Sequence, residues 1–129
     1  MNFNEKENFV EIQKVITRVS RLAKNSDLSI DVLSTRDYVN TKLFEKDCEL
    51  KVFTFIEKLE KLFSAGCCNY LELLNLFEIN VNTIEDLFDN EKGVLIMSED
   101  LKIRNNRLNL LSLIRNYSLK IADFILLNS

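Results

Sequence analysis

No histidine, proline or tryptophan occurs in these 129 residues, and there are only two glycines and three cysteines. The missing histidine removes the commonest general base and the commonest metal ligand, which excludes Ser-His, Cys-His and histidine-zinc chemistry. Without proline, and with glycine only at Gly66 and Gly93, little interrupts a helix and no glycine-rich loop is left to cradle a phosphate. Cys48, Cys67 and Cys68 are odd in number and lack C-x-x-C spacing, so they read as reduced thiols rather than as a disulfide framework or a zinc site. Acidic residues are plentiful, yet no pair of them stands out as acid and base. The expectation is a non-enzyme that uses no cofactor, no metal and no small-molecule substrate.

What is present has a globular balance, 47% hydrophobic and 29% charged, with a formal net charge of −3. That is enough apolar material for one ordinary core. The opening MNFNEKENF is polar and acidic, unlike a secretory leader, and the longest apolar stretch carries Arg115, Lys120 and Asp123, so it does not read as a membrane span. The expected protein is cytoplasmic and mainly α: a compact domain of about five helices over residues 1–129, with a small β-hairpin wing. It divides into an N-terminal helix and connector (1–42), a central portion (43–107) and a C-terminal helix (108–129).

Spacing supplies the elements. Asn4 with Glu7 resembles a capping box, and Phe9, Ile12, Ile16, Val19 and Ala23 then share one helical face until Asn25-Ser26-Asp27 ends it. Residues 28–40 are ambiguous between a short extended piece and a turn of helix capped by Ser34. A second helix is expected from Leu43 to Ser64, with Val52, Phe55, Leu59 and Leu62 as its stripe, closed at Gly66. Asn69 with Glu72 opens a short helix to Phe77, and Asn82 with Glu85 opens another to Asn90. Residues 94–104 read either as a small antiparallel hairpin, the preferred assignment, or as a helix capped by Ser98. A last helix is expected from Asn106 to Leu127. Its stripe Leu110, Ile114, Tyr117, Ile121 and Phe124, widened by further leucines, is broad enough for a central core helix or a dimer contact.

The stretch LELLNLFEINVNTIEDLF, residues 71–88, together with that flanking order, resembles the winged helix-turn-helix superfamily over residues 50–107. Leu73, Leu74, Phe77, Ile79, Val81, Ile84, Leu87 and Phe88 match its apolar anchors, and Ile79 to Ile84 looks like the turn and start of a recognition helix. The resemblance implies DNA contacts by Asn80, Asn82 and Thr83 in the groove and by Lys102, Arg104 and Arg107 on the phosphates. Five basic residues and no acidic ones lie between Leu101 and Ala122, whereas Glu85, Asp86, Asp89 and Glu91 on the recognition segment oppose phosphate. Glu78 also departs from the small residue usual at the turn. The working expectation is a dimeric, DNA-binding transcriptional regulator. The alternative is an all-helical protein-interaction module, adaptor or inhibitor, that binds no DNA. Within that alternative, residues 104–111 resemble the last-helix motif of death effector domains, with Asn109 where that family has Asp.

Overall fold

The computed structural model describes residues 3–65 and 70–127, with the side chains of 10–65 and 70–122. Among these residues there are five α-helices and no strand: α1 (Phe3–Ala23), α2 (Asp47–Ser64), α3 (Tyr70–Ile79), α4 (Val81–Asp86) and α5 (Leu101–Leu127). The mainly helical reading is therefore correct.

Helix α5, 27 residues long, is the axis of the molecule and packs against α1, α2 and α3. Leu110, Leu111, Leu113 and Ile114 are fully buried along it, with Leu108, Tyr117 and Ile121 nearly so. A helix apolar on this many sides has to be surrounded. Ala23 meets Arg115, and Ile12 and Ile16 line a groove with Ile121, so α1 and α5 run antiparallel. Helix α2 contributes Val52, Phe55, Ile56 and Leu59 to the same core. Phe55 meets Phe77 of α3 edge to face, with ring centroids 5.2 Å apart, a geometry the aromatic quadrupole favours.

The periodicity of α1 and α2 carries over into the fold, but several boundaries move. Asn4 lies inside α1 rather than before it. Helix α2 starts at Asp47, preceded by a separate 3-10 turn (Thr41–Leu43). Helix α4 starts at Val81, one residue before the expected cap Asn82, and ends at Asp86. Gly66, Cys67, Cys68 and Asn69 lie outside the described residues.

The largest correction concerns residues 94–104. Residues 94–100 are irregular, and α5 begins at Leu101, so no hairpin wing forms. The carboxylate of Asp100 accepts from the free amides of Lys102 and Ile103 at 2.9 and 3.2 Å, while Ser98 Oγ accepts from Asp100 N at 3.3 Å. The acidic pair expected at a hairpin bend is a helix cap instead. Before it, the chain folds back tightly at Gly93, where a Cβ would come within 2.5 Å of the carbonyl oxygens of Leu87 and Asp89. Only glycine fits there without displacing the backbone.

Candidate functional site

Seven polar side chains fall in the mostly apolar stretch from Asn106 to Tyr117 of α5, and five of them explain how the connector between α1 and α2 is held. Asn106 faces Asn40 twice: its Oδ1 accepts from Asn40 N at 2.7 Å and its Nδ2 donates to Asn40 O at 3.0 Å. Asn109 donates to Tyr38 O at 2.8 Å and accepts from Ser26 Oγ at 3.1 Å. Asn116 Nδ2 donates to the carbonyls of Ser29 and Val32, and Tyr117 Oη to that of Leu33 at 2.6 Å. Arg115 donates to the carbonyls of Ala23 and Leu28. The connector has little regular structure, so its backbone groups need partners, and α5 supplies them.

Lys102, Asn106, Asn109, Leu113, Asn116 and Lys120 follow one another at four- and three-residue spacing, so they share one side of α5. That side is covered by the connector in its middle and ends in a lysine at each end.

Arg107 is 3% exposed and turns toward α2. Its Nη2 meets Glu45 at 2.6 Å, its Nε meets Glu49 at 3.4 Å, and its Nη1 donates to Leu95 O at 2.6 Å. Glu49 is fully buried and accepts from the amides of Glu45 and Lys46. One guanidinium thus ties together the start of α2, the loop before α5 and α5 itself.

Burial also sets the protonation behaviour of this region. It pushes the Tyr117 phenol well above its ordinary value, with Glu60 adding to the rise. Burial lowers Arg115. The buried, unpaired Cys48 thiol is pushed up by burial and then by Glu49, which disfavours the reactive thiolate.

On the outer side of the connector lies an open depression of about 420 Å³, bordered by Ser26, Asp27, Ser29, Tyr38, Asn105 and Asn109 among others. Tyr38 is 42% exposed. Asp37 before it has φ 70°, a left-handed conformation that Asp tolerates better than most residues. Tyr38 N donates to Thr35 O and its carbonyl accepts from Asn109, so the backbone beneath the exposed ring is fixed on both sides. Lys24 and Lys102, both exposed, precede Ser26 and Asn105 by two and three positions.

The residues expected to touch DNA do not come together. Asn80 closes the α3–α4 turn: its Nδ2 donates to Leu76 O at 2.9 Å and its Oδ1 faces Thr83 Oγ1 at 3.4 Å. Asn82 is exposed, whereas Thr83 is half-buried. Lys102 and Arg104 occupy the first turns of α5, not a wing, and Arg107 is committed to Glu45 and Glu49. Of the expected partner or dimer stripe, Leu110, Ile114, Tyr117 and Ile121 are buried within this chain. The side chain of Phe124 lies outside the described residues. Sequence reasoning missed Tyr38, Asn105 and the buried asparagines, because an asparagine on an apolar stripe looks the same whether it faces water or an unpaired backbone.

Comparison with known proteins overturns the functional expectation. No family model matches the chain, and no solved structure matches it. The chain is 33% identical over 117 residues to a glycine–tRNA ligase beta subunit of Acaryochloris marina, covering 88% of the chain and 16% of that protein. It is 34% identical over 116 residues to the Gloeothece citriformis beta subunit, with the same coverages. With the Yersinia enterocolitica beta subunit it shares 36% identity over 115 residues, 85% of the chain and 15% of that protein. The chain thus spans about a sixth of the length of these relatives. They are a different family from the winged helix-turn-helix superfamily. The DNA-binding regulator, the adaptor alternative with its death-effector likeness, and the non-enzyme expectation are all corrected by relatives named as subunits of a ligase. Among the described residues no helix is long and apolar enough to cross a membrane.

Proposed function

We propose that this chain serves the charging of tRNA with glycine, as the counterpart of a helical segment of a glycine–tRNA ligase beta subunit. The observation that carries this reading is identity above 30% extending over most of the chain, in several relatives of one name. The segment would present a surface to tRNA, and the subunit complementary to a beta subunit would be its protein partner. DNA has no place in this reading.

The architecture supports a binding role for the connector and its α5 face. A segment with little regular structure costs conformational entropy to order, about 1–2 kcal/mol per residue. Here it is fixed by five buried or half-buried side chains of α5, and the backbone beneath an exposed tyrosine, Tyr38, is held among them. Pre-ordering of this kind lowers the cost of binding. Lys24 and Lys102 flank it without a side-chain partner among the described residues and are available to phosphates.

Fluorescence anisotropy tests the reading. A labelled glycine-accepting tRNA transcript should bind this chain more tightly than an A/T-rich DNA duplex of equal charge, and more weakly as salt rises. Equal affinity for both would contradict it.

A further inference from the structure

We propose that Leu95, Met97 and Leu101, in the turn before α5 and at its first residue, form an apolar knob that docks onto the remainder of a glycine–tRNA ligase beta subunit. The inference rests on the counterpart reading above and adds a protein-facing surface to it.

The three side chains are 70%, 40% and 58% exposed and fall within residues 95–101. The other exposed large apolar side chains among the described residues lie eight or more positions from one another along the chain. Single exposed apolar residues are ordinary, whereas a group of them marks a contact. The knob is also held in place. Ile96, between Leu95 and Met97, is buried in the core. On one side, Gly93 N donates to Asp89 O and Val94 N to Leu87 O, both at 3.0 Å. On the other, Asp100 caps α5 through the amides of Lys102 and Ile103. Between them, the buried Arg107 guanidinium holds Leu95 O at 2.6 Å. Apolar anchors that are ordered before contact lose little entropy on binding, which suits them to carry an interface.

Charge, size and length argue for the occupant. Exposed Glu91, Glu99 and Asp100 flank the knob along with exposed Lys92 and Lys102. With no excess of cations the site disfavours phosphate, which leaves a protein surface. Three aliphatic side chains fall short of the roughly 800 Å² per partner that a stable complex of free chains buries, so a second copy is a poor fit. A contact within one polypeptide needs less, because linkage holds the two surfaces at an effective concentration on the order of millimolar. The relatives supply such a neighbour: the matching segment makes up 16% of the Acaryochloris marina beta subunit and is covalently joined to the rest.

The test places this chain in the Acaryochloris marina beta subunit in exchange for the matching segment. Amide hydrogen exchange over residues 94–101 is then compared between that chimera and the full chain alone. Exchange should be about tenfold slower, or more, in the chimera. Leu95→Ser combined with Met97→Ser should abolish the difference. Both side chains are exposed, so the double variant of the chain alone should melt at the same temperature. Its affinity for glycine-accepting tRNA should stay within about twofold, since no charge is lost. Equal exchange in the two settings, with tRNA still preferred over duplex DNA, overturns the docking surface and leaves the tRNA reading standing. Slowed exchange that the double variant abolishes, with no preference for tRNA, keeps the surface and removes the tRNA reading. Slowing that appears in the chain alone as its concentration rises assigns the knob to a second copy and overturns the proposal. So does a tRNA affinity that falls about tenfold in the double variant, which assigns the knob to RNA.

Discussion

Tyr117 shows how one side chain joins two parts of the fold and carries a pH dependence with it. Its ring packs in the core at 6.0 Å from Phe63, and its hydroxyl donates to Leu33 O in the connector. Burial raises its pKa above the ordinary 10.0. A group whose pKa is higher folded than unfolded contributes stability that is fully present below the unfolded value and is lost as pH rises past it. Thermal stability should therefore be insensitive to this group up to about pH 10 and fall above it. Tyr117→Phe removes the group and should flatten that alkaline decline, while costing about 1 kcal/mol at neutral pH for the lost hydrogen bond. Denaturant titrations of both proteins at pH 8 and pH 11 check the two effects together. Arg115 and Asn116 next to it would not have been singled out from sequence. Their partners are carbonyl oxygens of residues more than eighty positions away, and backbone needs of that kind leave no local signature.

Among the elements, α1 and α2 were legible and α5 was legible only in part. Apolar residues at three- and four-residue spacing identify a helix whatever it packs against, so Ile12, Val19, Val52 and Phe55 were placed in the core from sequence and are there. The start of α5 was misread because Glu99-Asp100 suits both a hairpin bend and a helix cap, and only the hydrogen bonds to Lys102 and Ile103 separate the two. The run of five cations without an anion from Leu101 to Ala122 invited a phosphate-binding reading. Its counter-charges lie elsewhere in the chain: Glu45 and Glu49 neutralise Arg107 from the α2 side, and Arg115 is engaged by carbonyl oxygens. A charge run along the sequence is therefore not a charge patch in space.

The ion-pair junction makes a quantitative prediction at the same scale. Arg107→Met leaves the fully buried Glu49 without its cation and should cost roughly 3–5 kcal/mol. The double variant Arg107→Met, Glu49→Met should cost clearly less than the sum of the two single changes, because neither leaves a stranded charge. Denaturation midpoints of the four proteins supply the cycle. Additive losses would mean that the two residues do not act as a pair.

For the molecule as a whole, its mainly helical class was readable from the absence of proline and the scarcity of glycine. Function was not readable. The resemblance over residues 50–107 rested on a pattern of apolar anchors that short packed helices generate without any DNA partner. In the fold, five of those eight anchors, Leu73, Phe77, Val81, Ile84 and Leu87, are buried in the shared core, whereas Ile79 is 68% exposed. The polar residues that distinguish this molecule lie on α5 and the connector, outside the part that carried the resemblance or disguised within it.

Replacement of the matching segment in the Acaryochloris marina glycine–tRNA ligase beta subunit by this chain, followed by measurement of glycine attachment to tRNA, tests the central claim most directly. At 33% identity over 117 residues the substituted enzyme should retain charging, with kcat/KM for tRNA reduced by no more than about a hundredfold, equivalent to about 2.7 kcal/mol. Charging abolished in a folded chimera that still assembles with its complementary subunit would contradict the account.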